Sequence, residues 1–165
     1  HSIGLMPRSG MGEFPFLDAP FDDVAKGIHI SAFSYASLAK ALLPIMNRGG
    51  AFVGMDFDPT RAIPFYNWMT VAKSALESHV RQLAVELAPQ GITANAIKAG
   101  VTDTPALRKI PGNVQIVESA MARNPAGRLT TTHDVAQCLV ALAAPGTYWL
   151  TGSVLNVDGG EDIAG

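Results

Sequence analysis

Charged residues are scarce in this sequence, and they are not clustered in a way that would attract a highly charged partner. Asp, Glu, Lys and Arg make up 16% of the 165 residues, and the formal net charge is −2. Because nucleic-acid-binding proteins need clustered Lys and Arg to neutralise phosphates, we expect no nucleic-acid partner. The hydrophobic content of 48% leaves little polar material to cover a surface. We therefore expect some faces to pack against another chain or segment.

Cysteines and long apolar runs are also scarce. The single cysteine, Cys138, excludes an internal disulfide and is typical of a reducing compartment, so we expect a cytoplasmic protein. No uninterrupted run of 18 apolar residues occurs, which predicts no membrane span, and no signal peptide is visible. No metal site is expected, because the histidines lack ligand spacing. These histidines are His1, His29, His79 and His133.

The rest of the chain alternates long helical patterns with short apolar runs. Apolar residues recur at a period near 3.6 over residues 21–46, which predicts one long helix. They are Val24, Ile28, Phe33, Leu38, Leu42 and Met46. Further helices are predicted at 64–87, 113–123 and 130–143, and strands at 51–55, 92–97 and 152–157. This alternation predicts an α/β fold with a parallel sheet. Such a sheet is thin for two long helices, so we expect further strands before His1.

Tyr66 and Lys73 are seven residues apart at the start of the second long predicted helix. Seven helical steps of ~100° return to within ~20° of the starting direction and rise ~10.5 Å. The two polar groups are therefore expected to lie along one stripe and to reach the same ligand. A surface tyrosine and a solvated lysine would have the same spacing, so periodicity alone leaves both interpretations open.

Six ordered blocks stand out along the chain: HSIG at 1–4, KGIHIS at 26–31, SYAS at 34–37, GMDFDPTRAIPFYNWMTVAK at 54–73, NAIKAG at 95–100 and NVDGG at 156–160. In this order and spacing they resemble the enoyl-acyl-carrier-protein reductases of the short-chain dehydrogenase/reductase superfamily, and the first two thirds of the chain resemble the mycobacterial type. The resemblance implies a Rossmann-like doubly wound parallel sheet. It also implies that residues 1–165 are the C-terminal part of one reductase domain, with a substrate lid at about 101–125.

The spacing around Tyr66 differs from that of the ketone-reducing relatives. Those enzymes carry a Tyr-x3-Lys pair and a serine upstream of the tyrosine. Here Thr70 stands where that lysine would be, and Val53 stands where that serine would be. The resemblance therefore implies reduction of an enoyl group rather than a ketone.

The resemblance also implies the catalytic roles. Hydride would pass from NADH to the β-carbon of a trans-2-enoyl thioester linked to acyl carrier protein or CoA. NADPH is not excluded as the hydride donor. Tyr66 would hold the thioester oxygen and stabilise the enolate. Lys73 would bind the nicotinamide ribose and is expected to lower the pKa of Tyr66 by Coulomb attraction. Phe57 would line the site beside the substrate.

The implied binding residues lie at strand ends, where open parallel sheets bind ligands. The cofactor-binding set is Ser2, Ile3, Gly4, Met55, Asp56, Lys73, Ala99, Gly100, Thr102 and Thr104. The substrate-binding set is Tyr66, Met69, Met11 and Leu107. The chain departs from the family at 101–104, where Val-Thr-Asp-Thr replaces the common Pro-Ile-Arg-Thr. Asp103 would repel a pyrophosphate unless it points outward, and the shorter lid argues against assuming very long acyl chains.

The glycine-rich turn that holds dinucleotide phosphates is missing. The segment Gly10-Met11-Gly12 has neither the strand–helix context nor the third glycine. Because there is no initiator methionine, we expect an incomplete copy of the enzyme whose dinucleotide-binding β-α units precede His1. Such a chain would bind NADH poorly. Two alternatives remain: a related dehydrogenase with another substrate, and an inactive domain that assembles a tetramer through its long helices.

Overall fold

Three parallel strands form the centre of the protein. The computed structural model describes residues 1–110 and 112–164. The strands are β1 (Ala51–Asp56), β2 (Thr93–Ala99) and β3 (Val154–Val157), in the order β1-β2-β3. Ala51 pairs with Thr93, and Ala96 pairs with Val154. The α/β fold with a parallel sheet that the sequence predicts is confirmed. Its three carboxyl ends point to one edge, where a ligand site is expected.

The start of the chain pairs with the outer edge of β1. The nitrogen of His1 donates to the carbonyl of Val53 at 2.7 Å, and the N–H of Met55 donates to the carbonyl of His1 at 2.8 Å. This is the hydrogen-bond pattern of a parallel ladder. Ser2 to Gly4 therefore emerge at the same edge of the sheet as the carboxyl end of β1.

Five helices occur near the predicted positions in the described part of the chain, but the one long helix predicted over residues 21–46 is interrupted. They are α1 (Phe21–Ile28), α2 (Ser34–Leu42), α3 (Trp68–Leu87), α4 (Asn113–Arg123) and α5 (Thr132–Leu142). A π-helical turn, His29–Phe33, joins α1 to α2, and a short 3-10 turn, Leu43–Ile45, follows. Inside the π turn, Ser31 Oγ donates to the carbonyl of Leu5 at 2.8 Å and accepts from its N–H at 2.9 Å. The turn thus fixes the loop that follows His1.

The second long helix starts later than the sequence predicts. Its first residue is Trp68 rather than Pro64, because the backbone before it is not helical. Phe65 has φ 70° and Asn67 has φ 42°. The N–H of Gly12 donates to the carbonyl of Phe65 at 2.7 Å, and Asn67 Nδ2 donates to the carbonyl of Phe14 at 2.9 Å. Tyr66 therefore precedes the helix, and the prediction that it shares a helical stripe with Lys73 is wrong.

The main core lies between the sheet and the long helices. Tyr35 is the largest fully buried side chain, and its hydroxyl donates to the carbonyls of Phe52 and Asn95 at 3.1 and 3.3 Å. Around it, small and branched residues of α3 and β2 are fully or almost fully buried. They include Ala72, Leu76, Val80, Ala84, Ala94 and Ala96. Each buried Leu or Val contributes about 1.5–3 kcal/mol, so this layer fixes α3 on the sheet.

One helical segment, Phe21–Ile45, is long and apolar enough to cross a membrane by length and composition, with a mean hydropathy of 1.2. This is weak evidence, because core helices of soluble proteins meet the same criterion. Ala32, Tyr35 and Ala39 of this segment pack in the main core. The absence of a membrane partner stays a prediction.

The last two helices frame the far side of the sheet edge. A capping box begins α5: Thr131 Oγ1 accepts from the N–H of Asp134, whose side chain accepts from the N–H of Thr131. The N-cap predicted at residues 130–132 is thus confirmed. Pro111, within the predicted lid, lies outside the described residues.

Candidate active site

A cleft of about 690 Å³ opens at the carboxyl ends of β1 and β2. One wall is the segment from His1 to Gly4, the floor comes from the two strand ends, and the far wall comes from α5 and the loop before α4. This is where a parallel sheet presents backbone groups to a ligand. The topology therefore agrees with the location that the sequence predicts.

Most of the predicted site residues line this cleft. The predicted cofactor-binding residues there are Ser2, Ile3, Gly4, Met55, Asp56, Lys73, Ala99, Gly100, Thr102 and Thr104. Tyr66, Phe57 and Leu107 line it as well. The chain brings these residues together from segments up to a hundred positions apart. Their individual roles stay predictions.

Two predicted substrate-binding residues are placed elsewhere. Met69 is 9% exposed and packs with Met6 and Ala72 in a second buried cluster, against which Met11 also lies. Neither Met69 nor Met11 is among the described residues that line the cleft. The apolar character of a methionine does not distinguish a pocket wall from a core behind that wall. Their contact with substrate stays a prediction.

Tyr66 is held between strained backbone and an aromatic neighbour. The residues on both sides of it have positive φ, a conformation that costs energy and recurs at functional sites. Its ring centroid lies 4.6 Å from that of Phe57, with the planes tilted by 36°. Burial raises the pKa of the Tyr66 phenol, so the hydroxyl carries its proton at neutral pH. The pKa is thus raised overall, and a lowering effect of Lys73 on it stays a prediction.

Lys73 reaches the cleft from α3 and is only 7% exposed. Its Nζ donates to the carbonyl of Met55 at 2.7 Å. Burial lowers the pKa of Lys73, while the negative charge of Asp56 opposes that decrease. An ammonium group has three donors, and the Met55 carbonyl uses one. The others are suited to the hydroxyl groups of a ligand.

Asp56 is a buried carboxyl group at the last position of β1. It is 7% exposed, and neither of its oxygens forms a hydrogen bond of normal geometry with the described residues, although the N–H of Phe57 lies close enough to interact with it. Burial raises its pKa to about 7, although the charge of Lys73 and the N–H of Phe57 oppose the increase. A buried polar group without partners costs free energy, which a ligand donor would recover. The sequence indicated the position of Asp56 but not this protonation behaviour.

The far wall of the cleft is apolar, and the sequence analysis did not identify most of it. It is formed by Ala106, Leu107, Ile110, Ile116, Val135, Ala136 and Leu139. Val135 and Leu139 are four residues apart on α5 and therefore share one helical face. That spacing was the only feature of the sequence that could have predicted this wall. Periodicity alone, however, does not show whether an apolar helix face packs in a core or lines a cleft. An apolar wall opposite Tyr66 suits an acyl chain.

Asp103 does not have the effect that the sequence suggested. It forms a bidentate pair with Arg108, with both nitrogen–oxygen distances at 2.8 Å. Its side chain is 54% exposed, and it is not among the described residues lining the cleft. The hydrogen bonds from Arg108 lower the pKa of Asp103. The carboxylate therefore points away from the cleft.

Among residues 1–110 and 112–164, no group of three or more His, Cys, Asp or Glu side chains is arranged to hold a metal ion. The cleft instead offers one buried ammonium group, one buried carboxyl group and one neutral phenol. These groups can bind hydroxyls and stabilise a developing oxyanion. They do not themselves provide a redox reaction.

Comparisons with known proteins show the family to which the chain belongs. The family model described as enoyl-(acyl carrier protein) reductase matches residues 1–161. Proteins named enoyl-acyl-carrier-protein reductase (NADH) are similar to this chain. The one from Mycolicibacterium smegmatis is 52% identical over 97% of the chain, and the one from Mycobacterium avium is 61% identical over 69%. The Escherichia coli protein is 34% identical over 99%.

The chain spans only part of these relatives. It covers 64% of the Mycolicibacterium smegmatis protein, 42% of the Mycobacterium avium protein and 63% of the Escherichia coli protein. The match to the family model nevertheless extends over almost all of the chain. The chain therefore belongs to the enoyl-(acyl carrier protein) reductase family.

Proposed function

We propose that this chain carries the catalytic part of an NADH-dependent enoyl-thioester reductase of fatty acid biosynthesis. Its substrate would be a trans-2-enoyl thioester linked to acyl carrier protein or CoA. The observation that carries the proposal is the composition of the cleft. Tyr66, Phe57 and Lys73 line one cleft at the strand ends, opposite an apolar wall. A thioester with an acyl tail has the polar head and apolar tail that such a cleft accommodates.

Tyr66 is the residue that would stabilise charge on the substrate. When bound, NADH supplies the hydride that is added to the β-carbon. Negative charge then develops on the thioester oxygen, and a phenol that keeps its proton is able to donate a hydrogen bond to it. The raised pKa of Tyr66 supports this role, because the donor is protonated over the whole neutral range. Phe57 would hold the Tyr66 ring in place by aromatic contact.

Lys73 and Asp56 are suited to a ribose. The ammonium of Lys73 has two further donors, and the oxygens of Asp56 lack hydrogen bonds of normal geometry among the described residues. Vicinal hydroxyl groups donate and accept at the same time, so they match this pair. We propose that Lys73 holds the nicotinamide ribose and that Asp56 contributes an acceptor beside it. The similar proteins from Mycolicibacterium smegmatis and Mycobacterium avium are named as NADH enzymes, which favours NADH as the cofactor.

The wider architecture is part of the proposal. A Rossmann-like doubly wound sheet would continue beyond β1 through strands that precede His1, and the pairing of His1 with β1 supports this. Residues 101–125 would form the substrate lid. Exposed apolar side chains on the long helices support a homo-oligomer, with a tetramer implied by the family resemblance. Phe21, Ile45 and Val85 are 79%, 78% and 76% exposed. We also propose a cytoplasmic location, which the single cysteine fits.

The reaction is tested with the purified chain at high NADH concentration, where weak cofactor binding does not hide the chemistry. A trans-2-enoyl-CoA and a 3-ketoacyl-CoA of equal chain length are compared, and products are identified by mass spectrometry. We expect the saturated thioester from the first and no product from the second. Tyr66→Phe is expected to lower the single-turnover rate about 100-fold, because it removes an oxyanion donor.

Tyr148→Phe is the matched control, because Tyr148 is 66% exposed and lies outside the cleft. Its rate should equal that of the parent chain. Reduction of the ketone but not of the enoyl group would favour a related dehydrogenase with another substrate. No product from either, with NADH bound, would favour an inactive domain that serves assembly. Tight NADH binding and rapid turnover by the chain alone would contradict an incomplete cofactor site.

A further inference from the structure

The segment after β3, residues 158–164, reaches back to the loop that leaves β2. Glu161 is 4% exposed, and its Oε2 accepts a hydrogen bond from the N–H of Val101 at 3.1 Å. Its other oxygen, Oε1, lies 3.1 Å from Arg123 Nη2. Val101 directly follows Gly100 and precedes Thr102, which both line the cleft. One carboxylate therefore fixes the backbone at the floor of the site from behind.

The neighbouring residue, Asp162, reaches the other strand-end loop. Its Oδ1 lies 2.9 Å from Arg61 Nη2, and its Oδ2 lies 2.9 Å from Lys98 Nζ. Both cations also contact Asp58: Arg61 Nε at 2.9 Å and Lys98 Nζ at 3.5 Å. Two carboxylates and two cations thus form a closed ring. The ring joins the C-terminal segment to the loop between Phe57 and Tyr66.

Three of the four side chains in this ring are largely shielded from solvent, so the ring can hold the two segments together. The exposed fractions of the Asp58, Lys98 and Asp162 side chains are 9%, 13% and 16%, and that of Arg61 is 43%. Isolated surface ion pairs contribute little, but shielded pairs in a network are screened less by solvent. Burial lowers the pKa of Lys98, but the hydrogen bond and charge of Asp162 and the charge of Asp58 raise it overall. The lysine therefore stays charged.

Hydrogen bonds and a tight turn hold the segment itself. Asp158 Oδ1 accepts from the N–H of Gly160 at 2.9 Å, and Asp158 Oδ2 accepts from the N–H of Asp162 at 3.1 Å. Asn124 Nδ2 donates to the carbonyl of Asp158 at 2.8 Å. Gly159 and Gly160 have φ of 64° and 87°, which permits the tight turn. Glu161 and Asp162 are thus presented from a fixed base.

We propose that Glu161 and Asp162 are positioning residues that hold the two loops framing the cleft. Neither is among the described residues that line it, so they act through others. Glu161 acts through Val101 on the floor that would meet the nicotinamide, and Asp162 acts through Arg61 and Lys98 on the loop carrying Phe57 and Tyr66. The catalytic consequence rests on the proposed function, but the positioning itself does not.

Amide hydrogen exchange tests the contact of Glu161 and the contacts of Asp162 separately. The variants Glu161→Ala, Glu161→Gln and Asp162→Ala are measured beside the parent chain. Glu161→Ala removes the acceptor for the Val101 N–H, so we expect about tenfold faster exchange there. Glu161→Gln keeps an oxygen acceptor, and exchange at Val101 should return to within a few-fold of the parent rate. Asp162→Ala should accelerate exchange at residues 57–66 and leave Val101 unchanged.

A second readout separates positioning from general stability. At equal fraction folded, Glu161→Ala should weaken NADH binding about tenfold, and Glu161→Gln should recover most of it. Asp162→Ala should change the enoyl-CoA concentration for half-maximal rate more than it changes NADH binding. Glu86→Ala, an exposed glutamate on α3, is the control and should change none of these quantities.

The outcomes distinguish this inference from the proposed function. Unchanged exchange at Val101 in Glu161→Ala, or uniform acceleration of all amides in either alanine variant, would overturn the positioning role. Failure of the glutamine variant to rescue exchange would also overturn it. If the parent chain reduces no enoyl thioester but the exchange pattern appears as expected, the positioning role stands and the proposed function fails. If Glu161→Ala does not fold, Glu161→Gln and Asp162→Ala still decide between these results.

Discussion

Replacing the buried carboxyl group of Asp56 by an amide should change how the stability of this protein depends on pH. Asp56 is 7% exposed, and burial raises its pKa from the ordinary 3.8 to about 7. The folded state therefore binds this proton more tightly than the unfolded state does. The stability contributed by the group is fully present below pH 4 and is lost as the pH rises through 7.

The size of the loss follows from the pKa difference. A shift of about 3 units at about 1.4 kcal/mol per unit gives about 4 kcal/mol at pH 8. Asparagine has nearly the shape of the protonated acid but does not ionise. In the Asp56→Asn variant this loss should disappear, although Lys73 also loses an attractive charge. We therefore expect the stability of the variant relative to the parent to rise by about 2 to 4 kcal/mol between pH 4 and pH 8.

Urea unfolding followed by circular dichroism, at several pH values from 4 to 8, measures this difference. Subtracting the parent curve removes the contributions of all other titrating groups, including the histidines. The slopes of unfolding free energy against urea should agree between the two proteins, because the same surface is exposed. Parallel stability curves for parent and variant over this range would refute the argument that burial controls the protonation of Asp56.

Three further variants test other contacts. Asp58→Asn should change the pH dependence of the unfolding free energy in the opposite direction to Asp56→Asn. Hydrogen bonds from Thr60 and the charges of nearby cations outweigh burial and lower the pKa of Asp58. In the same urea experiment, the variant should therefore be fully destabilised at pH 7, and this destabilisation should vanish as the pH falls below 4. Gly100→Ala should cost about 1–3 kcal/mol in thermal unfolding, because its Cβ would clash with Thr130 Oγ1 and would lie 2.9 Å from Glu161 Oε2 and 3.0 Å from the backbone of Asp158. An alanine at Gly146 would meet no atom within 4 Å and should be neutral. Ser31→Ala should cost about 1–3 kcal/mol by leaving the backbone of residue 5 without its partner, and a change under 0.5 kcal/mol would contradict that.

Secondary structure was predictable where the physical signal is local. The strands β1 and β2 are short apolar runs bounded by turn residues, and the capping box at Thr131 and Asp134 is a local pattern. The start of α3 was not predictable in this way. Pro64 is well suited to the first turn of a helix. Contacts from Gly12 and Phe14 nevertheless hold the following residues out of the helical region.

The site was predictable to a similar degree. Matching of ordered blocks indicated the strand-end residues that line the cleft, because strand ends of a parallel sheet meet at one edge. It did not indicate the acidic residues behind them. Glu161 follows two glycines and resembles an ordinary polar tail. Its contact with Val101 joins positions sixty residues apart, and such pairing has no signature in local composition.

The π-helical turn, His29–Phe33, has a consequence for the face that the helical segment presents. An additional residue in one turn rotates everything after it by about 100° relative to an uninterrupted helix. Phe33, Leu38 and Leu42 continue the apolar period of Val24, yet they are 51%, 40% and 41% exposed. Tyr35 and Ala39 are buried in the core instead, with 1% and 2% of their surface exposed.

One segment consequently has two apolar sides after the turn, and only one of them belongs to the core of its own chain. Substitutions on these two sides should have separable effects. A polar residue at Tyr35 would unfold the chain, because that side chain is 1% exposed, whereas a polar residue at Leu38, which is 40% exposed, should leave folding intact. A single added residue in one helical turn thereby gives one segment an apolar side in the core and a second apolar side at the surface.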